Sequence, residues 1–157
     1  MRSVSNDESP WATGVRLGVD VGSVRVGVAV SDPHGILATP IGTLARDVKA
    51  GSDLAGLAAL VAEHAVVEVV VGLPRSLSGR EGAAAEAART YGSALQRRIT
   101  PVPVRYIDER LTSVTANRIL TERRVKGKKA RSVVDQVAAV QILQQYLDVA
   151  RARQARE

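Results

Sequence analysis

Leu17-Gly18-Val19-Asp20-Val21-Gly22-Ser23-Val24-Arg25-Val26-Gly27-Val28-Ala29-Val30-Ser31-Asp32 is an apolar strand that carries a carboxylate into a glycine-bearing turn and then resumes as a second strand. In the second run Val24, Val26, Val28 and Val30 alternate with Arg25, Gly27 and Ala29, the period-2 pattern of a half-buried strand. Gly22 admits a turn, or a close approach that a side chain would block. The two strands are expected to pair as a hairpin at the head of a mixed sheet. A buried ionised carboxylate is costly unless it is paired, hydrogen-bonded or metal-bound. Asp20 is therefore a candidate cation ligand, with acceptance of amide hydrogens from Val21 to Ser23 as the structural alternative.

Working outward, a third strand is expected from Ile36 to Leu44, and Pro40 within it favours a sheet edge. Ser52 is positioned to cap a helix reaching His64, with Leu54, Leu57, Ala58 and Val61 on one face. Val66 to Val71, broken only by Glu68, suits a central strand covered on both faces and ends in Gly72-Leu73-Pro74. Ser78-Gly79-Arg80-Glu81 has capping-box spacing before an Ala-rich helix to Arg98. Val102 to Ile107 reads as a last strand, and Thr112 or Ser113 begins a short helix to Glu122. Ser132 starts a final helix to Ala150, so that Asp135 falls in its first turn. Three strands followed by alternating strand and helix give an α/β layer structure with a partly antiparallel, partly parallel sheet.

The 157 residues suffice for one core. Residues 1–13 read as a disordered leader, 14–150 as a single domain and 151–157 as a basic tail. Cysteine is absent, which excludes disulfides, zinc-thiolate sites and thiol nucleophiles. With no Phe, one Trp and three Tyr, aromatic base-stacking platforms are not expected. No apolar run reaches the roughly 18 residues of a membrane span, and a cytoplasmic protein without membrane contact is expected.

The formal charge of +6 is concentrated. Removing Arg123, Arg124, Lys126, Lys128, Lys129 and Arg131 from the 22 basic residues leaves 16, which balances the 16 acidic ones. Such a cluster, placed in a loop around Gly127, is the footprint expected for phosphate-backbone binding, a solvated charge run being the plainer alternative. Arg25 and Arg110 are further candidates for holding a phosphate or a carboxylate.

Four acidic residues stand out by context: Asp20, Asp108 and Glu109 after the last strand, and Asp135. Functional groups gather where the carboxyl ends of parallel strands meet helix starts, which requires the strand of Asp20 to run parallel to the last. Converging carboxylates repel, and a hard divalent cation relieves the repulsion. Each has a structural alternative: Asp108 and Glu109 as helix caps or partners of Arg110, and Asp135 as the acid of a capping box with Ser132.

Taken in order, Asp-x-Gly-x-x-x-x-Gly on the hairpin (Asp20 to Gly27), Gly72-Leu73-Pro74, Asp108-Glu109-Arg110-Leu111-Thr112 and Val134-Asp135-Gln136-Val137-Ala138-Ala139 resemble the YqgF family, also called RuvX, from about Arg16 to Leu147. The resemblance implies an RNase H-like three-layer fold, a mixed five-stranded sheet flanked by helices. It also implies a nuclease acting on Holliday junctions or on the 5′ end of the 16S rRNA precursor. Asp20, Asp108 or Glu109, and Asp135 would be the catalytic carboxylates, with Mg2+ or Mn2+ as cofactor. Because alternate side chains of an extended segment face opposite ways, one of Asp108 and Glu109 faces the site, and Glu109 is favoured.

Two departures are visible. Val21 stands where the family often has an aromatic residue, and the strand ending at Val71 lacks the acid that RuvC relatives place after it. Actin-like ATPases share the hairpin but need two such domains, and a Walker-type phosphate loop is absent. The remaining alternative is a non-catalytic RNA-binding ribosome-assembly factor. Junction cleavage would require a homodimer, since two strands must be cut symmetrically.

Overall fold

The computed structural model describes residues 13–74, 80–109 and 128–156, with backbone alone for 128–132. Its strands are β1 (Val15–Val21), β2 (Arg25–Ser31), β3 (Ala38–Ala45), β4 (Val66–Leu73) and β5 (Val104–Asp108). The described helices are α1 (Ser52–Glu63), α2 (Ala83–Ile99) and α3 (Lys128–Arg156). One sheet has the order β3-β2-β1-β4-β5. The β1–β2 and β2–β3 pairs are antiparallel, while β1–β4 and β4–β5 are parallel. The hairpin and the mixed sheet are as the sequence suggests, and Pro40 does lie on an edge strand.

Strand alternation divides the side chains into two apolar layers. Leu17, Val19, Val26, Val28, Val69, Val71 and Leu73 pack beneath α1 and α2 with Leu57, Tyr91 and Leu95. Ala29, Val70 and Ile107 pack against Ala138, Ala139, Ile142, Leu143 and Leu147 of α3. β4 is thus covered on both faces, which explains its run of valines. The result is the three-layer RNase H-like arrangement.

Helix starts differ from the capping patterns. Ser52 is the first residue of α1 rather than its cap; Gly51 precedes it with φ 72°, a left-handed conformation suited to glycine. The amides of Ala50 and Ser52 donate instead to the Asp47 carboxylate, which holds that carboxyl below its ordinary pKa. α2 begins at Ala83 after Gly82, and Glu81 lies outside it, bound to Arg89 at 2.7 and 2.8 Å. α3 starts at Lys128, so Ser132 is inside the helix and Asp135 beyond its first turn. The helix also passes Ala150 and continues to Arg156. Thr112 to Glu122 and Ser78 lie outside the described residues.

Candidate active site

Because β1, β4 and β5 are parallel, their carboxyl ends meet at one edge of the sheet. Asp20, Gly72 and the Asp108-Glu109 pair lie there. Asp20 is the cross-strand partner of Gly27 and shares its face, which is covered by α3: a Cβ built at Gly27 would collide with the Asp135 backbone carbonyl. Gly72 shares that face as well, and a Cβ there would stand 2.9 Å from Glu109 Oε1. Asp108 pairs with Leu73 and so takes the opposite face, towards α1 and α2. Asp20, Glu109 and Asp135 therefore lie along the face beneath α3, and Asp108 takes the other face.

Asp20 is 4% exposed and Glu109 8%. The Asp135 carboxylate accepts a hydrogen bond from Arg25 Nε at 3.1 Å, and both side chains are about one-fifth exposed. Arg25 is thus a partner of a site carboxylate. The turn between Asp20 and Arg25 is closed by the Gly22 amide donating to the Arg25 carbonyl at 2.9 Å. A Cβ on Gly22 would come within 2.6 Å of that oxygen, so the close approach made at Gly22 is by the chain itself.

All donors gathered here are carboxylate oxygens, the set preferred by hard divalent cations. Because residue 72 has no Cβ, Ile142 of α3 and the Glu109 carboxylate both pack directly against the strand there. Among the described residues no three acidic or imidazole side chains stand close enough together to hold one ion. The Asp135 carboxylate is bound to Arg25.

The RuvX family, described as Holliday junction resolvase, matches residues 14–149. The chain belongs to this family. A Frankia casuarinae protein named "Putative pre-16S rRNA nuclease" is 58% identical over 141 residues, spanning 90% of this chain and 70% of that one. A Mycolicibacterium smegmatis protein of the same name is 55% identical, spanning 88% and 83%. Thermus thermophilus RuvC in complex with a Holliday junction substrate shares the fold with TM-score 0.56 at 15% identity, covering 90% of this chain and 96% of that one. A second structure of Thermus thermophilus RuvC gives TM-score 0.53 at 13% identity.

In this RuvX chain the basic candidates divide by position. Lys128, Lys129 and Arg131 belong to the first turns of α3 rather than to a loop. They precede Asp135 on the same helix, so the cluster leads directly into the carboxylate site. Arg110, Arg123, Arg124 and Lys126 lie outside the described residues. His34 and His64 occupy the β2–β3 loop and the end of α1, remote in sequence from the carboxylates. No described helix is long and apolar enough to cross a membrane.

Gly27 and Gly72 both stand in the ordered motifs, which give them no role of their own; the structure shows each as a point where α3 packs onto the sheet. A glycine within a strand often marks a close backbone approach, and that was the available signal. What covers the glycine is a tertiary fact, which no local pattern states.

Proposed function

We propose that this RuvX protein is a divalent-metal-dependent endonuclease of structured nucleic acid, with Asp20 and Glu109 as the principal metal ligands. The observation that carries this is the burial of two carboxylates on one sheet face at the carboxyl ends of parallel strands, beneath α3. Asp135 would complete the ligand set by exchanging Arg25 for the cation. A bound Mg2+ or Mn2+ supplies Lewis-acid activation of water and stabilisation of the leaving oxygen in phosphodiester hydrolysis.

The chain's own residues would do the rest. Asp20 is held by β1 and Glu109 directly follows β5, so both carboxylates are carried on the sheet rather than recruited to it. Arg25, once freed from Asp135, would present a guanidinium to a non-bridging phosphate oxygen. Lys128, Lys129 and Arg131, with Arg123, Arg124 and Lys126 before them, would hold the phosphate backbone without reading sequence. Arg110, next to Glu109 in sequence, is assigned the same role. Asp108 keeps no catalytic part.

The names of the relatives favour the 5′ end of the 16S rRNA precursor as substrate, processed in the cytoplasm by a monomer or a dimer. A four-way DNA junction is the second candidate, favoured by the family description, and it requires a homodimer. A non-catalytic assembly factor is the contrary reading. The deciding experiment is cleavage of a labelled 16S precursor and a labelled mobile junction with Mg2+ or Mn2+ by wild type and Asp20→Asn. Cleavage by wild type alone supports the nuclease and names its substrate. Binding without cleavage by both proteins, or equal cleavage by both, overturns it.

A further inference from the structure

Arg46 follows β3 and approaches the site from the far side of the sheet. Its Nη1 donates to the Gly22 carbonyl at 2.8 Å, and its backbone amide donates to the Val24 carbonyl at 2.9 Å. One residue thereby grips both flanks of the turn that joins Asp20 to Arg25.

The guanidinium is itself held from behind. Arg46 Nε lies 3.6 Å from Asp53 Oδ2, and its carbon stands 4.9 Å from the centre of the Tyr91 ring. Asp53 is 3% exposed and accepts the Tyr91 hydroxyl at 2.8 Å on that same oxygen. The Asp47 amide donates to its other oxygen at 3.3 Å. A buried carboxylate with this many partners is a fixed anchor, because moving the cation away would leave its charge poorly compensated.

These contacts form one connected path. It runs from Asp53 and Tyr91 of the α1–α2 layer, through Arg46, into the Gly22 carbonyl, across the turn to Arg25, and on to Asp135 of α3. It crosses the sheet at the one hairpin that carries Asp20.

We infer that Arg46 is a positioning residue for the active site, which fixes the β1–β2 turn so that Asp20 and Arg25 keep their places relative to Asp135. The inference rests on the nuclease reading for its kinetic consequence but not for its structural one. A turn released by even a fraction of an ångström costs turnover rather than ground-state binding, since small misplacements of reacting groups act mainly on the transition state. Phosphate-backbone contacts, made elsewhere by the basic cluster, would keep KM nearly constant.

The experiment compares wild type, Arg46→Ala, Arg46→Lys and Asp53→Asn by cleavage kinetics and by amide hydrogen exchange. In Arg46→Ala, kcat is expected to fall about 10-fold or more with KM within about twofold, the pattern of a lost positioning contact. The Gly22 amide should exchange about 10-fold faster while Val69 to Val71 in β4 keep wild-type protection, which separates local release from global destabilisation. Arg46→Lys should recover part of both, and Asp53→Asn should shift both in the same direction by less. If Arg46→Ala is too unstable to handle, Arg46→Lys and Asp53→Asn carry the test. Wild-type kcat or unchanged Gly22 exchange in the folded variants overturns the inference. Absence of wild-type cleavage on either substrate overturns the nuclease reading instead, and the exchange data then decide the turn clamp alone.

Discussion

The two ends of the sheet face that α3 covers bury charge in opposite ways. At the amino end, Arg16 Nε bonds Glu68 Oε1 at 3.0 Å, the Tyr146 hydroxyl donates to Glu68 Oε2 at 3.0 Å, and Arg105 stands 3.5 Å from the same oxygen. Side chains fill the space between sheet and helix. At the carboxyl end, Asp20 and Glu109 lie beside Gly27 and Gly72, where α3 comes so close that a Cβ would strike the Asp135 carbonyl or Ile142. Negative groups converge there, and Arg25 reaches the outermost of them, Asp135. One end centres a single anion among two arginines and a phenol; the other sets acidic side chains beside glycines. The first arrangement serves the fold, and the second sets acidic side chains where α3 lies closest to the sheet.

The largest expected effects separate these ends directly. Arg16→Met leaves Glu68 buried with its best cation removed and should cost about 3 kcal/mol, at the low end for a broken buried pair because Tyr146 and Arg105 remain. Thermal unfolding should fall by roughly 6–12 °C for a domain of this size, with kcat unchanged. Glu109→Gln should do the reverse. Cleavage should drop at least about 100-fold, beyond the loss typical of groups that only support a metal ligand. Its melting temperature should hold or rise, because one of several converging carboxylates is neutralised. A Glu109→Gln protein that loses stability and keeps its activity would erase the distinction.

A smaller effect tests the glycine floor. Gly27→Ala places a methyl group against the Asp135 backbone, and overpacking of this kind costs about 1–3 kcal/mol. The midpoint of urea unfolding should fall with an unchanged slope, and cleavage should fall with it as α3 is pushed off the site. Full stability in Gly27→Ala would show that α3 yields freely over Asp20, and the floor would lose its role.

Much of this contrast was legible beforehand, and the boundary is instructive. Asp20 at the end of an apolar strand, the edge position implied by the missing amide hydrogen of Pro40 and the continuous valine run of β4 are local statements about single strands. The choice between Asp108 and Glu109 needed the register of β5 on β4, since Leu73 opposite Asp108 is what assigns its face. Capping patterns misled at three helices. Asp47 supplies from a loop what Ser52 was expected to give, Glu81 turns to Arg89, and α3 begins before Ser132. The partners of Ser52 and Glu81 lie five and eight residues away, outside the four-residue window of a capping box. The Arg16–Glu68 pair is further still from any local pattern, its members being 52 residues apart in the chain.

The smallest effect concerns how tightly the amino-end network is closed. Burial first, and then the Glu68 carboxylate beside it, push the Tyr146 phenol up from 10.0 to about 12. A phenol with a higher pKa in the folded chain than in the unfolded one holds its proton more strongly when folded. Its contribution is complete below pH 10 and is lost as pH rises through about 12. Tyr91 is raised too, by burial and by its bond to Asp53, so wild-type stability should decline across this window from two sources. Tyr146→Phe should cost about 1 kcal/mol at neutral pH, the worth of one hydrogen bond. Between pH 9 and pH 11 the variant should then lose less stability than wild type in urea melts, the remaining slope belonging to Tyr91. Identical slopes would mean that the Tyr146 proton is not held by Glu68. The amino end would then be a pair with Arg16 rather than a closed network, and its difference from the carboxylate end would rest on charge matching alone.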